Sequence, residues 1–145
     1  MVDFIGSLGI IAVCMILSAF FSSAESAFLT MQKTSRLTHL INIGDPRALK
    51  VAKMLEDPGN LLSVILLGNN LVNILASALA TSLLIKLFGN TGVAYAVIIM
   101  TILIVIFSEI LPKSYAIANA EKLALLVSPI IKPLVFVLAP ITWVM

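Results

Sequence analysis

Charge, cysteine and histidine are all scarce in this sequence. Charged residues make up 11% of the 145 residues and apolar residues 61%, with a mean hydropathy of +1.15, whereas about a quarter of a soluble domain is charged. The single cysteine, Cys14, lies inside an apolar run, so the chain can form neither an internal disulfide nor a thiolate metal site. The single histidine is His39, and no GxSxG or HExxH motif is present. We therefore expect no enzyme, and the net charge of +2 gives no indication of a nucleic-acid partner.

Three long apolar runs predict an all-α integral membrane protein with three transmembrane helices. They cover about residues 4–31, 61–87 and 93–112, and each is long enough for a helix that crosses a bilayer, which takes about 20 residues. Residues 1–145 then form a single transmembrane domain. The small side chains between Ala76 and Ala80 predict a close contact with a second copy of the chain, in a two-fold homodimer.

Two further segments, about 33–56 and 119–145, are predicted to form juxtamembrane helices. The first combines five Lys or Arg residues with apolar positions, and Asp45-Pro46 is a good N-cap and first helical position. We expect two short amphipathic helices at the surface of the lipid bilayer there. The second segment is interrupted by three prolines and by Lys132, which predicts broken, interfacial or partly inserted helices; a fourth span is the alternative.

The positions of the basic residues predict the orientation of the chain. Five Lys or Arg residues lie in segment 33–56 and three lysines follow the third span, whereas the turn near residue 90 has Lys86 alone. Cytoplasmic loops carry the excess of Lys and Arg. We therefore expect a multi-pass protein of the cell membrane (plasma or inner membrane), with its N-terminus outside and its C-terminus in the cytoplasm.

Each predicted span carries one cluster of polar residues. The clusters are Ser22, Ser23, Glu25 and Ser26 in the first span, Gly68, Asn69, Asn70 and Asn73 in the second, and Ser108, Glu109 and Pro112 in the third. An acid at the centre of a membrane helix costs roughly 2.5–3.5 kcal/mol, and Pro112 has no N–H to offer the carbonyl of Ser108. Oxygen ligands of these kinds suit hard cations such as Mg²⁺, Ca²⁺ or Na⁺. The alternative is that the clusters only join helices by hydrogen bonds.

Three strings within these clusters resemble the transmembrane domain of the CorC/cyclin-M (CNNM) family. They are FSSAESA at residues 21–27, LGNNLVN at 67–73 and SEILPK at 108–113, in the order and at the spacing of that family. The resemblance implies a homodimer of three-span protomers with a belt of juxtamembrane helices. It also implies Mg²⁺ export coupled to Na⁺ influx. Family members continue into a cytoplasmic pair of CBS domains that binds ATP; these are expected after residue 145 and absent from this sequence, so ATP regulation is not carried over.

For the ion site we expect Glu109 to be the one fully committed charged ligand. The expected neutral ligands are Ser22, Ser26, Asn70 and the carbonyl of Gly68. Alternate ligands or supporting groups are expected to be Ser23, Asn69, Asn73 and Glu25. The helix break that opens the site is expected at Ser108 and Pro112. Mg²⁺ would be the transported ion, with Na⁺ competing for the same oxygens. The alternative function is a non-transporting membrane anchor or regulator that controls another cation transporter.

Overall fold

The computed structural model describes residues 1–32 and 35–144, and over that part of the chain the all-helical prediction is confirmed. The α-helices are α1 (Val2–Gln32), α2 (Arg36–Asn42), α3 (Pro46–Met54), α4 (Pro58–Phe88), α5 (Gly92–Leu103), α6 (Leu111–Ala118) and α7 (Ala120–Val144). A short 3-10 turn, Gly89–Thr91, joins α4 to α5, and a π-helical segment, Ile104–Ile110, joins α5 to α6. Lys33 and Met145, at the edges of the predicted juxtamembrane segments, lie outside the described residues.

Helix α3 begins where its sequence predicts. The side chain of Asp45 accepts a hydrogen bond from the backbone N–H of Arg47 at 2.9 Å, and Pro46 occupies the first turn. That backbone hydrogen bond lowers the pKa of Asp45, so the cap is ionised at neutral pH. Asp57 caps α4 in the same way, accepting from the backbone N–H of Asn60 at 3.2 Å.

The long helices form an up-and-down bundle. The two ends of the bundle have separate hydrophobic clusters. One joins the first half of α1 to the second half of α4 and to α5, through Ile11, Cys14, Ala76, Ala80 and Met100. The other joins the last turns of α1 to the first turns of α4, to α3, α6 and α7, and includes Phe28, Met31, Ala48, Leu61, Ala116 and Ile131. Helix α4 therefore runs antiparallel to α1, and α5 runs back beside α4.

The prediction of broken helices in segment 119–145 is wrong, because α7 is continuous. The structure has one continuous helix, Ala120–Val144, that contains Pro129, Pro133 and Pro140. Each proline removes one helical N–H donor, but the hydroxyl of Ser128 donates to the carbonyl of Leu125 at 3.2 Å, which is the carbonyl that Pro129 leaves without a partner. Serine and threonine hydroxyls are known to restore bonding around helical prolines in this way.

Within the described residues, three stretches are long and apolar enough to cross a membrane: Val2–Gln32, Pro58–Ala118 and Ala120–Val144. The second stretch is a hairpin, because the chain turns at Gly89, where φ is +66°, and the rings of Phe88 and Tyr95 then meet edge to face at 5.2 Å. The contacts of α7 lie at one end of the bundle. Its last turn reaches the start of α4, where the hydroxyl of Thr142 lies 2.6 Å from Oδ1 of Asn60.

Candidate cation site

A layer of buried polar side chains separates the two hydrophobic clusters. Ser18 and Ser22 of α1, Asn69 of α4 and Ser108 of the π-helical segment are all buried. Along α4, Leu61 and Ile65 of one cluster precede Asn69, and Ala76 and Ala80 of the other follow it. The sequence predicts one polar cluster in each span, and the structure brings members of all three to one level of the bundle.

Asn69 is the centre of the hydrogen bonds in this layer. Its Oδ1 accepts from the hydroxyl of Ser18 at 2.7 Å and from Nδ2 of Asn73 at 3.5 Å, and its Nδ2 donates to the hydroxyl of Ser22 at 3.4 Å. In a low-dielectric interior, buried polar groups need such partners. The network therefore fixes α1 against α4 and presents hydroxyl and amide oxygens from two helices.

The third predicted span reaches the layer through the π-helical segment between α5 and α6, which the sequence does not predict. The backbone N–H of Leu111 bonds to the carbonyl of Ile106, five residues back, and Pro112 follows at once. Single π-helical turns inside α-helices are frequent at functional sites. Two hydrogen bonds join this part to α1: the hydroxyl of Ser108 donates to the carbonyl of Met15 at 3.3 Å, and that of Ser23 donates to the carbonyl of Pro112 at 3.5 Å.

The two acids near the layer differ in their partners. Glu25 lies 3.3 Å from Nζ of Lys113, and both side chains are partly exposed. Glu109 lies next to buried Ser108 and is half-buried, and its carboxylate forms no hydrogen bond or ion pair with any residue of the described ranges. The charge of Glu25 is therefore compensated by Lys113, whereas the carboxylate of Glu109 has no such partner in the described ranges.

Close contact between α1 and α4 depends on Gly68. It is buried, and a Cβ atom at this position would come within 2.7 Å of Cζ in the ring of Phe21. No side chain larger than hydrogen fits without moving that ring. The absence of a side chain lets α4 approach α1 closely, one residue before the Asn69 network.

The remaining predicted site residues are distributed around this layer. Ser26 is buried one turn beyond Ser22, and its carbonyl accepts from the hydroxyl of Thr30 at 2.8 Å. Asn70 is exposed in the single chain, so the buried amide is that of Asn69 and not that of the predicted neutral ligand. Ser18 and Lys113 contact residues of the site but are absent from the predicted set. The four-residue spacing of Ser18, Ser22 and Ser26 indicates that these serines share one helix face, and it could have identified Ser18.

Comparison with protein families gives a match over nearly the whole chain. The family described as the cyclin M transmembrane N-terminal domain matches residues 9–145. That range contains every residue of the polar layer and both acids beside it.

Several bacterial proteins are similar to this chain. A UPF0053 protein of Haemophilus influenzae is 43% identical over 136 residues, which cover 94% of this chain and 32% of that protein. The UPF0053 inner membrane protein YfjD of Escherichia coli is 40% identical over 129 residues, 89% of this chain and 30% of that protein. The polyamine export protein of Haemophilus influenzae is 32% identical over 139 residues, 87% of this chain and 32% of that protein. The chain thus spans about a third of the length of these relatives.

Proposed function

Because the chain belongs to the family of the cyclin M transmembrane N-terminal domain, we propose that it is the membrane-embedded part of a cation transporter whose substrate is Mg²⁺. The observation that carries this proposal is the carboxylate of Glu109. It stands on a π-helical segment beside a buried polar layer, in an apolar bundle, without a partner in the described chain. An ionised carboxylate in such surroundings is energetically unfavourable unless a bound cation offsets part of its desolvation free energy.

The donor set is suited to a hard cation that must be released again. Mg²⁺ takes six oxygens in octahedral geometry and gives up its water reluctantly. One carboxylate, Glu109, together with hydroxyl, amide and carbonyl oxygens from Ser22, Ser26, Asn70 and Gly68 would bind it with moderate affinity. Ser23, Asn69 and Asn73 would support those ligands, and Glu25 would act on the local field through its pair with Lys113. Na⁺ would compete for the same oxygens, which is the basis for Na⁺-coupled export.

The π-helical segment is where movement would open the site. A change from π-helical to α-helical bonding would alter the register of a few hydrogen bonds in a segment of the kind that is frequent at functional sites. Such a shift would rotate Ser108 and Glu109 relative to α1 while Pro112 keeps the hydrogen-bonding pattern interrupted. In keeping with the inner-membrane relative, we place the protein in a cell membrane, as a homodimer with its N-terminus outside.

An organic polycation is the second candidate substrate, since one relative is named a polyamine export protein. Glu109 would bind an ammonium group as well as a metal ion, but a polyamine needs several carboxylates along its length. Near the buried layer of the described chain the only other acid is Glu25, which is already paired with Lys113. The single unpaired acid therefore favours a small inorganic ion.

Transport by the purified protein in lipid vesicles tests the proposal. The vesicles would contain Mg²⁺ and be placed in a solution rich in Na⁺, so that the Na⁺ gradient is directed inward. We expect the Mg²⁺ flux, measured with a fluorescent indicator, to exceed that of protein-free vesicles. The flux of radiolabelled spermidine should remain at the background. Spermidine flux without Mg²⁺ flux would show that the substrate is an organic polycation and not Mg²⁺. Background flux of both would contradict a transporter and support an anchor or regulator.

A further inference from the structure

The lysines of α3 and α7 differ from the other cations at this end of the bundle. Arg36 is paired with Glu121, Arg47 lies 3.5 Å from Asp45, and Lys113 lies 3.3 Å from Glu25. By contrast, four exposed lysines have no carboxylate partner in the described part of the chain: Lys50, Lys53, Lys122 and Lys132. Unpaired positive charge gathered in one region is the usual mark of a surface that meets an anionic partner.

Three of these lysines surround one cavity between α3, α7 and the start of α4. It has a volume of about 200 Å³, and Lys50, Lys53 and Lys132 line it together with the apolar side chains of Met54, Leu61 and Val135. Asp57 and Asn60 complete the lining, but both are engaged: Asp57 caps α4, and Oδ1 of Asn60 lies 2.6 Å from the hydroxyl of Thr142. The three lysines outnumber the one carboxylate, so the lining combines a net positive charge with apolar side chains.

The helices around the cavity also expose apolar side chains to the outside. Phe136 and Val137, in the turn of α7 that follows Lys132, are 83% and 66% exposed. The opposite side of α3 is packed into the bundle through the fully buried Ala48 and Val51. Lysine ammonium groups beside exposed apolar side chains are typical of the boundary between lipid tails and headgroups, where the stem of a lysine stays in apolar surroundings and its charge reaches the headgroups.

We propose that this cavity binds the headgroup of an anionic phospholipid. Its phosphate would lie among Lys50, Lys53 and Lys132, and the start of an acyl chain would lie against Met54 and Val135. A soluble anion would contact the lysines alone and leave the apolar lining side chains without a partner, whereas a phospholipid would contact both kinds of side chain. Basic pockets between membrane helices commonly bind lipid headgroups, and each Lys near an anionic surface contributes about a fivefold gain in affinity.

Lipid titration of the purified protein in neutral detergent tests this assignment. Native mass spectrometry would measure the affinity for phosphatidylglycerol and for phosphatidylcholine, which has the same phosphate but no net charge. We expect tighter binding of phosphatidylglycerol. The variant Lys53→Gln/Lys132→Gln, which changes one lysine on each helix, is expected to weaken that binding about 25-fold, and Lys132→Gln alone about fivefold.

The matched control is Lys86→Gln/Lys122→Gln, which removes the same charge outside the cavity and should leave phosphatidylglycerol binding within about twofold of the parent. An equal loss in the control would mean that net charge alone governs binding and would overturn the site. Equal affinity for the two lipids would also overturn it. Binding of glycerol 3-phosphate as tight as that of phosphatidylglycerol would show a soluble-anion site in place of a lipid site.

Discussion

Replacing Glu109 by glutamine is expected to reduce Mg²⁺ flux across the vesicle membrane to the level of vesicles without protein. The substitution keeps the size of the side chain and removes its charge. Glu109 is the one acid beside the buried polar layer that has no partner in the described chain. Removing one member of a poorly solvated ion pair costs about 3 kcal/mol or more, which corresponds to at least a hundredfold loss of affinity.

The control for this variant is Glu56→Gln, which removes an equal charge from an exposed position between α3 and α4. We expect it to transport Mg²⁺ at the parent's rate. Glu109→Gln should elute from a sizing column with the parent and have the same helical circular dichroism, because the carboxylate of Glu109 has no polar partner among the described residues that the glutamine would lose. Parent-like Mg²⁺ flux through folded Glu109→Gln protein would place the ion site elsewhere.

Replacing Gly68 by valine is expected to destabilise the bundle more than any other single change in the polar layer. The new Cβ would lie 2.7 Å from the ring of Phe21, well inside contact distance, at a position where α1 and α4 are already in contact. Overpacking a close contact costs about 3 kcal/mol. For a chain of this size that lowers the melting temperature by about 6–12 °C, measured by circular dichroism or intrinsic fluorescence in detergent.

The matched control is Gly9→Val, since Gly9 is an exposed glycine of α1 with nothing within 4 Å of the added Cβ. Its melting temperature should equal the parent's or exceed it slightly, because valine has the higher helix propensity. Adding Phe21→Leu to Gly68→Val should restore about half of the loss by making room for the valine. If Gly9→Val and Gly68→Val are equally destabilised, the effect comes from the helix backbone and not from the contact with Phe21.

Local signals in the sequence are sufficient for much of the fold. The apolar runs indicate the long helices, and Asp45-Pro46 indicates the start of α3, because both depend on neighbouring residues alone. The continuity of α7 could not be predicted in this way. It depends on the hydroxyl of Ser128, which donates a hydrogen bond to the carbonyl of Leu125 that Pro129 leaves free. The positions of the prolines alone do not predict this hydrogen bond.

The packed face of α4 shows why the site was only partly predictable. All sides of a membrane helix are apolar, so hydrophobicity does not distinguish the side facing lipid from the side facing α1. Asn69 and Asn70 are equivalent in sequence, yet only Asn69 is buried and bonded to Ser18 and Ser22. The π-helical segment was missed for a related reason: Pro112 indicates a lost donor but not the register in which the remaining bonds form.

The predicted homodimer bears directly on Asn70. Because Asn70 is exposed in the single chain, it would act as a ligand only if α4 turned or if a second copy covered this face. Asn69 already supplies an amide from the same turn of α4 to the buried layer. The two asparagines are therefore expected to have separate roles, with Asn69 holding the helices together and Asn70 meeting the ion.

The central claim is that the layer beside Glu109 binds a hard cation, and the melting temperature of the purified protein as a function of Mg²⁺ concentration tests it most directly. A ligand that binds only the folded state stabilises it by about 2.7 kcal/mol at a hundred times its dissociation constant, or about 5–10 °C for this chain. At constant ionic strength, we predict a saturable rise of this size for the parent and no rise for Glu109→Gln. A parent whose melting temperature does not change with Mg²⁺, or a rise that is equal in both proteins, would contradict the account.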